Sequence, residues 1–351
     1  MHRSARRHFA RLAPLLALPA LAVALLPASP AYSSPAAQRV TAAPKPITFE
    51  AADTRTEQRS VANYWTEARM EAAKPLDAPA ASARRFVSSA LLDLPDGKPA
   101  TIKPTLSLTA AEAGAASPRS TGERWTSDGA IVDTVGRVFF TVTSGSSAGR
   151  NASCSGNAVT SANRSVVITA GHCVKIGGSF HSNWVFVPGY DQGNRPHGTW
   201  VATSLLTTPQ WNSSEDMNFD LAAAVVAPLN GKLLTEAVGG QGIAFNQSRG
   251  RQMYAFGYPA ASPYNGSRLI YCSGRAFDDF LMSEDVGLNC DMTGGSSGGP
   301  WFIAFNENTG LGLLNSVNSF KYNFANYWMF GPYFGAEAQA LYNAAQRTSL
   351  T

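Results

Sequence analysis

Only three histidines lie beyond the eighth residue, His172, His181 and His197, so chemistry that needs an imidazole must draw on these. His172 closes the run Ser165-Val-Val-Ile-Thr-Ala-Gly-His-Cys173, directly after a stretch of strand character and beside a cysteine that can be pinned back to Cys154. A general base needs a fixed position, and a strand end closed by a disulfide supplies one. In Gly294-Gly-Ser-Ser-Gly-Gly-Pro300, Ser297 is flanked by glycines. Such a turn can aim consecutive backbone N–H groups inward, as stabilising an oxyanion requires, and leaves room for a carbonyl beside the hydroxyl. Taken singly, the Gly-Ser run reads equally well as a flexible loop, and a histidine in a turn as structural. The third requirement is a carboxylate that orients the imidazole and stabilises its charged form. Asp220 opens the apolar run Asp-Leu-Ala-Ala-Ala-Val-Val226, where a poorly hydrated carboxylate needs an N–H donor. Asp216 is the reserve candidate, and Asp191 lies in a hydrophilic loop.

These side chains must be carried on short strands. From Gly136 onward come GRVFFTVT (136–143), RSVVITA (164–170), NWVFVPG (183–189), TWVATSLL (199–206), DLAAAVV (220–226), RQMYAFGYP (251–259), PWFIAF (300–305) and LGLLNSV (311–317). Runs of this length, bounded by Gly, Asn, Ser and Pro, predict an all-β sandwich or barrel. Phe334, Ala338, Leu341, Tyr342 and Ala345 recur at helical spacing and predict a terminal helix docked on the β core. Residues 38–119 are rich in Ala and Pro. One helix is expected there, around 57–73 with Val61, Tyr64, Trp65 and Ala68 on one face; after it, Pro75, Pro79, Pro95, Pro99 and Pro104 and the small residues of 109–120 read as linker.

Arg3, Arg6, Arg7 and Arg11 precede an apolar run over 12–26, followed by Ser29-Pro30-Ala31. This is the make-up of a secretory signal peptide: the run falls short of the roughly 20 residues that span a membrane, and Pro14 and Pro19 interrupt it. The expected organisation is a signal peptide over 1–31, a pro-region and linker over 32–119 removed on maturation, and a catalytic domain over 120–351. The mature product is expected outside the cell, monomeric, with no membrane contact once the signal is gone. Export favours disulfides over metal thiolates, and Cys154, Cys173, Cys272 and Cys290 contain no Cys-x-x-Cys spacing. Of three possible pairings, the sequential one closes two short loops; a zinc site is the alternative, and the reading carries no metal and no cofactor. Positive charge is confined to the front, with 15 Lys and Arg against 9 Asp and Glu in 1–119, but 13 against 15 in 120–351. The larger part therefore lacks the basic stripe that nucleic acid requires. A charged content of 15% also excludes a charge-driven disordered chain and disfavours a coiled coil.

Thr169-Ala-Gly-His-Cys173, Asp220-Leu-Ala and Gly295-Ser-Ser-Gly-Gly-Pro300, in that order over a β-rich region, resemble the chymotrypsin-like serine endopeptidases, in the secreted bacterial branch that includes the glutamyl endopeptidases. The resemblance covers about residues 125–351. It implies two six-stranded β-barrels with the site in the cleft between them, followed here by the C-terminal helix. It further implies His172 as base, Asp220 as orienting acid and Ser297 as nucleophile, with the N–H groups of Gly295 and Ser297 as oxyanion hole. The substrates implied are proteins or peptides. Two positions depart from the family. Ser296 stands where the animal digestive members have an aspartate that pairs with the freed N-terminus, and Leu314-Asn-Ser-Val-Asn-Ser-Phe320 lacks the histidine of the glutamyl enzymes' specificity pocket. Asp291, six residues before Ser297, stands where trypsin-like members bind Arg or Lys; the alternative is a bond to nearby backbone. Gly295-Ser-Ser-Gly-Gly299 also fits the elbow of lipases and esterases, but their triad runs Ser, acid, His, and no histidine follows residue 197. A catalytically inactive, secreted binding relative is the remaining alternative.

Overall fold

The apolar runs of the middle of the chain close into a barrel. The computed structural model describes residues 45–76, 97–106 and 119–350, so the expected signal peptide lies outside the described residues. A leader part comes first: β1 (Ile47–Glu50), α1 (Arg55–Tyr64), α2 (Glu67–Ala72), β2 (Lys74–Pro75) and β3 (Ala100–Ile102). β4 (Ser120–Arg124) and α3 (Ala130–Thr134) then lead into β5 (Val135–Thr141), β6 (Asn151–Val159) and β7 (Val166–Thr169). The hairpin of β8 (Lys175–Ile176) and β9 (Ser179–Phe180) precedes β10 (Ser182–Pro188), β11 (Trp200–Thr207), α4 (Pro209–Ser214) and β12 (Ala222–Val226). Antiparallel ladders run from β5 through β6, β7, β12, β11 and β10 back to β5, so six strands form a ring with no free edge along its length.

The second half follows α5 (Leu234–Val238) with β13 (Gly242–Phe245), β14 (Gln252–Gly257), β15 (Ile270–Arg275), β16 (Phe277–Asp278) and β17 (Val286–Asn289). After these come β18 (Pro300–Asn306), β19 (Leu311–Val317), β20 (Phe320–Tyr322), β21 (Ala325–Gly331) and the terminal α6 (Ala336–Ala345). Its ladders form a seven-stranded sheet, β3-β13-β19-β18-β14-β15-β4, and a four-stranded sheet, β16-β17-β21-β20. The Cys272–Cys290 disulfide joins β15 of the first sheet to the end of β17 in the second. The other disulfide, Cys154–Cys173, ties β6 to the turn after β7, so both bridges follow the sequential pairing. The all-β class and the docked terminal helix stand: Phe334, Ala338, Leu341, Tyr342 and Ala345 are all buried. No helix among the described residues is long and apolar enough to cross a membrane.

The leader departs from the linker expected of it. The helix expected over 57–73 is broken at Trp65-Thr66, because Thr54 caps α1 in a reciprocal capping box with Glu57 and Thr66 caps a second helix, α2. Trp65 fits into the core instead, 1% exposed, with its Nε1–H donating to the Asn183 carbonyl at 2.5 Å. Met70, Ala73 and Leu76 are buried with it, and burying a side chain such as Trp65 or Met70 contributes about 1.5–3 kcal/mol. β1 pairs with β11 over Ser204–Thr207, beyond the Trp200–Val201 stretch that β10 occupies. β5 and β11 read as nearly continuous apolar runs, with β11 buried at every position, because their outer faces are covered as well as their inner ones.

Candidate active site

His172 sits in a single 3-10 turn, Gly171–Cys173, at the end of β7, and is fully buried. Its ring Nδ1 lies 2.7 Å from Asp220 Oδ2, while its backbone N–H donates to Asp220 Oδ1 at 2.8 Å. One carboxylate thus fixes both the main chain and the ring of the same residue. A third donor, the Ser319 hydroxyl, reaches Asp220 Oδ2 at 2.5 Å. Asp220 is positioned by the 3-10 turn Met217–Phe219, which Asp216 caps through its bond to the Asn218 N–H. Asp216 therefore serves the turn rather than the imidazole; burial raises its pKa to about 6 against the lowering effect of Asn218.

The loop carrying Ser297 is held just as closely. Ser155 N–H donates to the Ser297 carbonyl at 2.7 Å, and Ser155 Oγ donates to the Gly295 carbonyl at 2.9 Å. Asn318 donates to the carbonyls of Ser296 and Phe256 and accepts from Trp301 Nε1, locking the loop from the far side. Gly298, at φ +76°, presses against β7: a Cβ there would lie 2.0 Å from Thr169 Oγ1 and 2.8 Å from the Ala170 nitrogen. That close approach brings Ser297 to the turn carrying His172. Gly295, at φ +94°, has no room for a side chain against Tyr258 and Ala260. The N–H groups of Ser296, Gly298 and Gly299 have backbone acceptors, whereas among the described residues those of Gly295 and Ser297 have none. Two N–H groups without acceptors, one on Ser297 and one two residues before it, are donors of the kind a developing oxyanion needs.

No protein-family model matches the chain, and no curated protein matches it. Solved structures do: the chain is 44% identical to the protease Anisep from Arthrobacter nicotinovorans, over 65% of this chain and 100% of that one, with a TM-score of 0.60. The chain belongs to the chymotrypsin-like serine proteases. The thermostable serine protease AL20, from an extremophilic microorganism, is similar at 44% identity over 63% of this chain and 100% of its own, with a TM-score of 0.58.

In this chymotrypsin-like protease a pocket of about 390 Å³ opens beside Ser297, lined among others by Met292, Gly294, Ser319, Lys321 and Met329. Asp291 is not brought into that lining. Its carboxylate is exposed and accepts from the Tyr264 hydroxyl at 2.6 Å, while its N–H donates to the Thr121 carbonyl, so it ties the pocket wall to β4. The charged group of the lining is Lys321, whose ammonium donates to the carbonyls of Cys290 and Asn326 at 2.8 and 2.6 Å. Burial lowers its pKa to about 8, with Asp291 opposing. Lys321 and Ser319 escape sequence reading; the available signal is a set of polar residues within the run 315–321, which would need partners if buried. The other two histidines are placed apart from the hydroxyl. His181 stacks on Phe140 with its Nε2 3.0 Å from the His172 carbonyl, and burial lowers its pKa to about 4; His197 pairs with Asp133. Cys154, His172 and Cys173 cluster as metal ligands would, but both sulfurs are consumed in the disulfide and offer no thiolate.

Proposed function

We propose that the chain is exported as a zymogen and that its matured domain, 120–351, is a secreted, monomeric endopeptidase acting on proteins or peptides. Ser297 is the nucleophile, His172 the general base and acid, and Asp220 the orienting carboxylate. The observation that carries this reading is the grip of Asp220 on both the backbone N–H and the Nδ1 of His172. A carboxylate at Nδ1 commits the proton to that nitrogen and leaves the Nε2 lone pair for the hydroxyl. His172 then takes the Ser297 proton as Oγ attacks the peptide carbonyl, and returns it to the leaving amine; water releases the acyl group by the same route. The carbonyl oxygen, negative in the tetrahedral intermediate, is received by the N–H groups of Gly295 and Ser297. Because the pocket presents the Lys321 amine and not the Asp291 carboxylate, the preferred residue before the cut is uncharged or acidic rather than Arg or Lys.

The test is labelling of the matured protein with a serine-reactive fluorophosphonate, alongside digestion of a peptide library. Label on Ser297 with peptide hydrolysis is expected, and Ser297→Ala should abolish the label and lower turnover by about a million-fold, as in a comparable triad. Proteolysis retained by that variant would assign the wrong nucleophile. Label without peptide hydrolysis would indicate an esterase, and no label an inactive binding protein.

A further inference from the structure

The exposed apolar side chains of the proposed mature domain are gathered in one place. Among the described residues of 120–351, the large apolar or aromatic side chains left exposed are Phe280, Leu281, Met282, Phe324 and Tyr327, with Phe280 at 68% and Phe324 at 69%. All five belong to the four-stranded sheet β16-β17-β21-β20, three on the loop joining β16 to β17 and two on the hairpin of β20 and β21. Scattered singly they would need no explanation, whereas a cluster marks a place of contact. The rings touch one another: Phe280 meets Trp328 edge-on at 5.4 Å, Trp328 meets Tyr327 at 4.9 Å, and Phe324 stacks on Tyr322 at 5.3 Å. Polar bonds hold the loop in this form. Asp279 accepts from the N–H groups of Leu281 and Ser283 and from the hydroxyls of Ser283 and Tyr322, and Asn218 accepts from the Glu284 N–H. Turning the three apolar side chains inward would break these bonds.

We propose that this face is an exosite for the substrate polypeptide, taking an apolar, aromatic-rich stretch of an unfolded chain that lies beyond the residues seated beside Ser297. The exosite rests on the peptidase reading above. Continuity with the pocket selects this occupant. The hairpin that carries Phe324 and Tyr327 also supplies Phe320, Lys321, Asn323 and Met329 to the pocket lining, so Phe324 directly follows a pocket residue. A chain leaving the pocket over this hairpin meets Phe324 and Tyr327, and the Phe280 loop lies against the Trp328 ring between them and β17. Folded proteins keep aromatic stretches inside, so the segment that fits belongs to an unfolded substrate. The loop 278–285 holds Asp278, Asp279, Glu284 and Asp285 and no Lys or Arg, with Arg249 paired to Asp278. That charge suits basic residues beside the apolar ones and opposes an anionic lipid surface.

The test compares matured wild type with a Phe280→Gln/Phe324→Gln variant, in which both altered side chains face solvent. The substrates are a short blocked peptide with a fluorophore and quencher flanking its cut, and the same peptide extended, before the cut or after it, by a stretch of Phe, Leu and Lys or by one of Ser, Gly and Lys. In wild type the apolar extension on one of the two sides should lower KM about tenfold relative to the polar one, with kcat little changed. In the variant that gain should vanish while the short peptide is cut as before, and Leu281→Gln/Met282→Gln should show the same loss independently. No gain on either side in wild type overturns the proposal, an arm that does not depend on any variant's folding. A gain that survives in both variants overturns it too, as does an equal loss on the short peptide in variants that take a fluorophosphonate at the wild-type rate. A wild type that sediments as a dimer where the variants are monomers assigns the face to a second copy, and one that binds phosphatidylcholine vesicles where the variants do not assigns it to lipid; either overturns the exosite. A wild type that cuts none of these peptides overturns the peptidase reading itself, and the exosite with it.

Discussion

Two buried aspartates near the site have opposite surroundings. Asp220 accepts from three donors, the His172 N–H and ring and the Ser319 hydroxyl, so its oxygens have hydrogen bonds in place of water. Asp285 is fully buried, and neither carboxylate oxygen has a hydrogen-bond partner among the described residues. Burial raises its pKa well above the usual carboxylate range, with Asp220, Asp279 and Asp216 adding to the shift and Arg249 opposing it. An acid whose folded-state pKa is raised favours the fold below the ordinary carboxylate pKa and loses that contribution as pH climbs to the folded value. Asp285→Asn stays neutral throughout and escapes the loss. Its melting temperature relative to wild type should therefore rise from pH 4 to pH 8. A difference that is flat over this range would show that residue 285 does not carry its proton in the fold.

At the scale of elements, the geometry of the proposed triad is made at strand ends. The turn after β7 carries His172, the turn before β12 carries Asp220, and the loop before β18 carries Ser297. The Cys154–Cys173 bridge closes a short loop between β6 and the His172 turn. Replacing both cysteines by serine should lower unfolding free energy by about 2–5 kcal/mol in a denaturant titration. Peptide turnover, measured under conditions where the variant is still folded, should fall as well, since the turn then keeps only its hydrogen bonds to Asp220, to the His181 ring and from the Trp184 indole; full activity in a folded variant would mean that the bridge does not position His172. The pairing of His172 with Asp220 and the tight turn at Ser297 were legible in the sequence because each residue stands in a local pattern, an apolar run meeting a small or polar turn. Lys321 and Ser319 were not, because their partners lie far off in the chain, on the loop at Cys290 and at Asp220 of the barrel. The leader misled for a related reason. Its apolar residues are too few to form a core of their own, so its composition reads as linker, and only the barrel face makes Trp65 and Met70 part of a core.

On the zymogen reading proposed above, the whole molecule narrows where maturation can occur. The sequence alone places the new N-terminus anywhere over 110–135, because the composition changes gradually there. The fold is more restrictive. β4 pairs with β15 over Ser120–Arg124, and the Thr121 carbonyl accepts the N–H of Asp291 on the pocket wall. Trp125 packs edge-on against Phe256, Tyr271 and Phe305, and Ile131 is fully buried. A cut beyond Trp125 would remove an edge strand and leave a tryptophan-sized void, at a cost of about 3–5 kcal/mol for the aromatic side chain alone. β3, by contrast, contributes three residues at the opposite edge of that sheet and can leave without opening the core. The mature chain should begin between residues 107 and 120, as read by N-terminal sequencing of the secreted protein. A start after Trp125 in an active, stable enzyme would show that β4 belongs to the leader and that the second sheet stands without it.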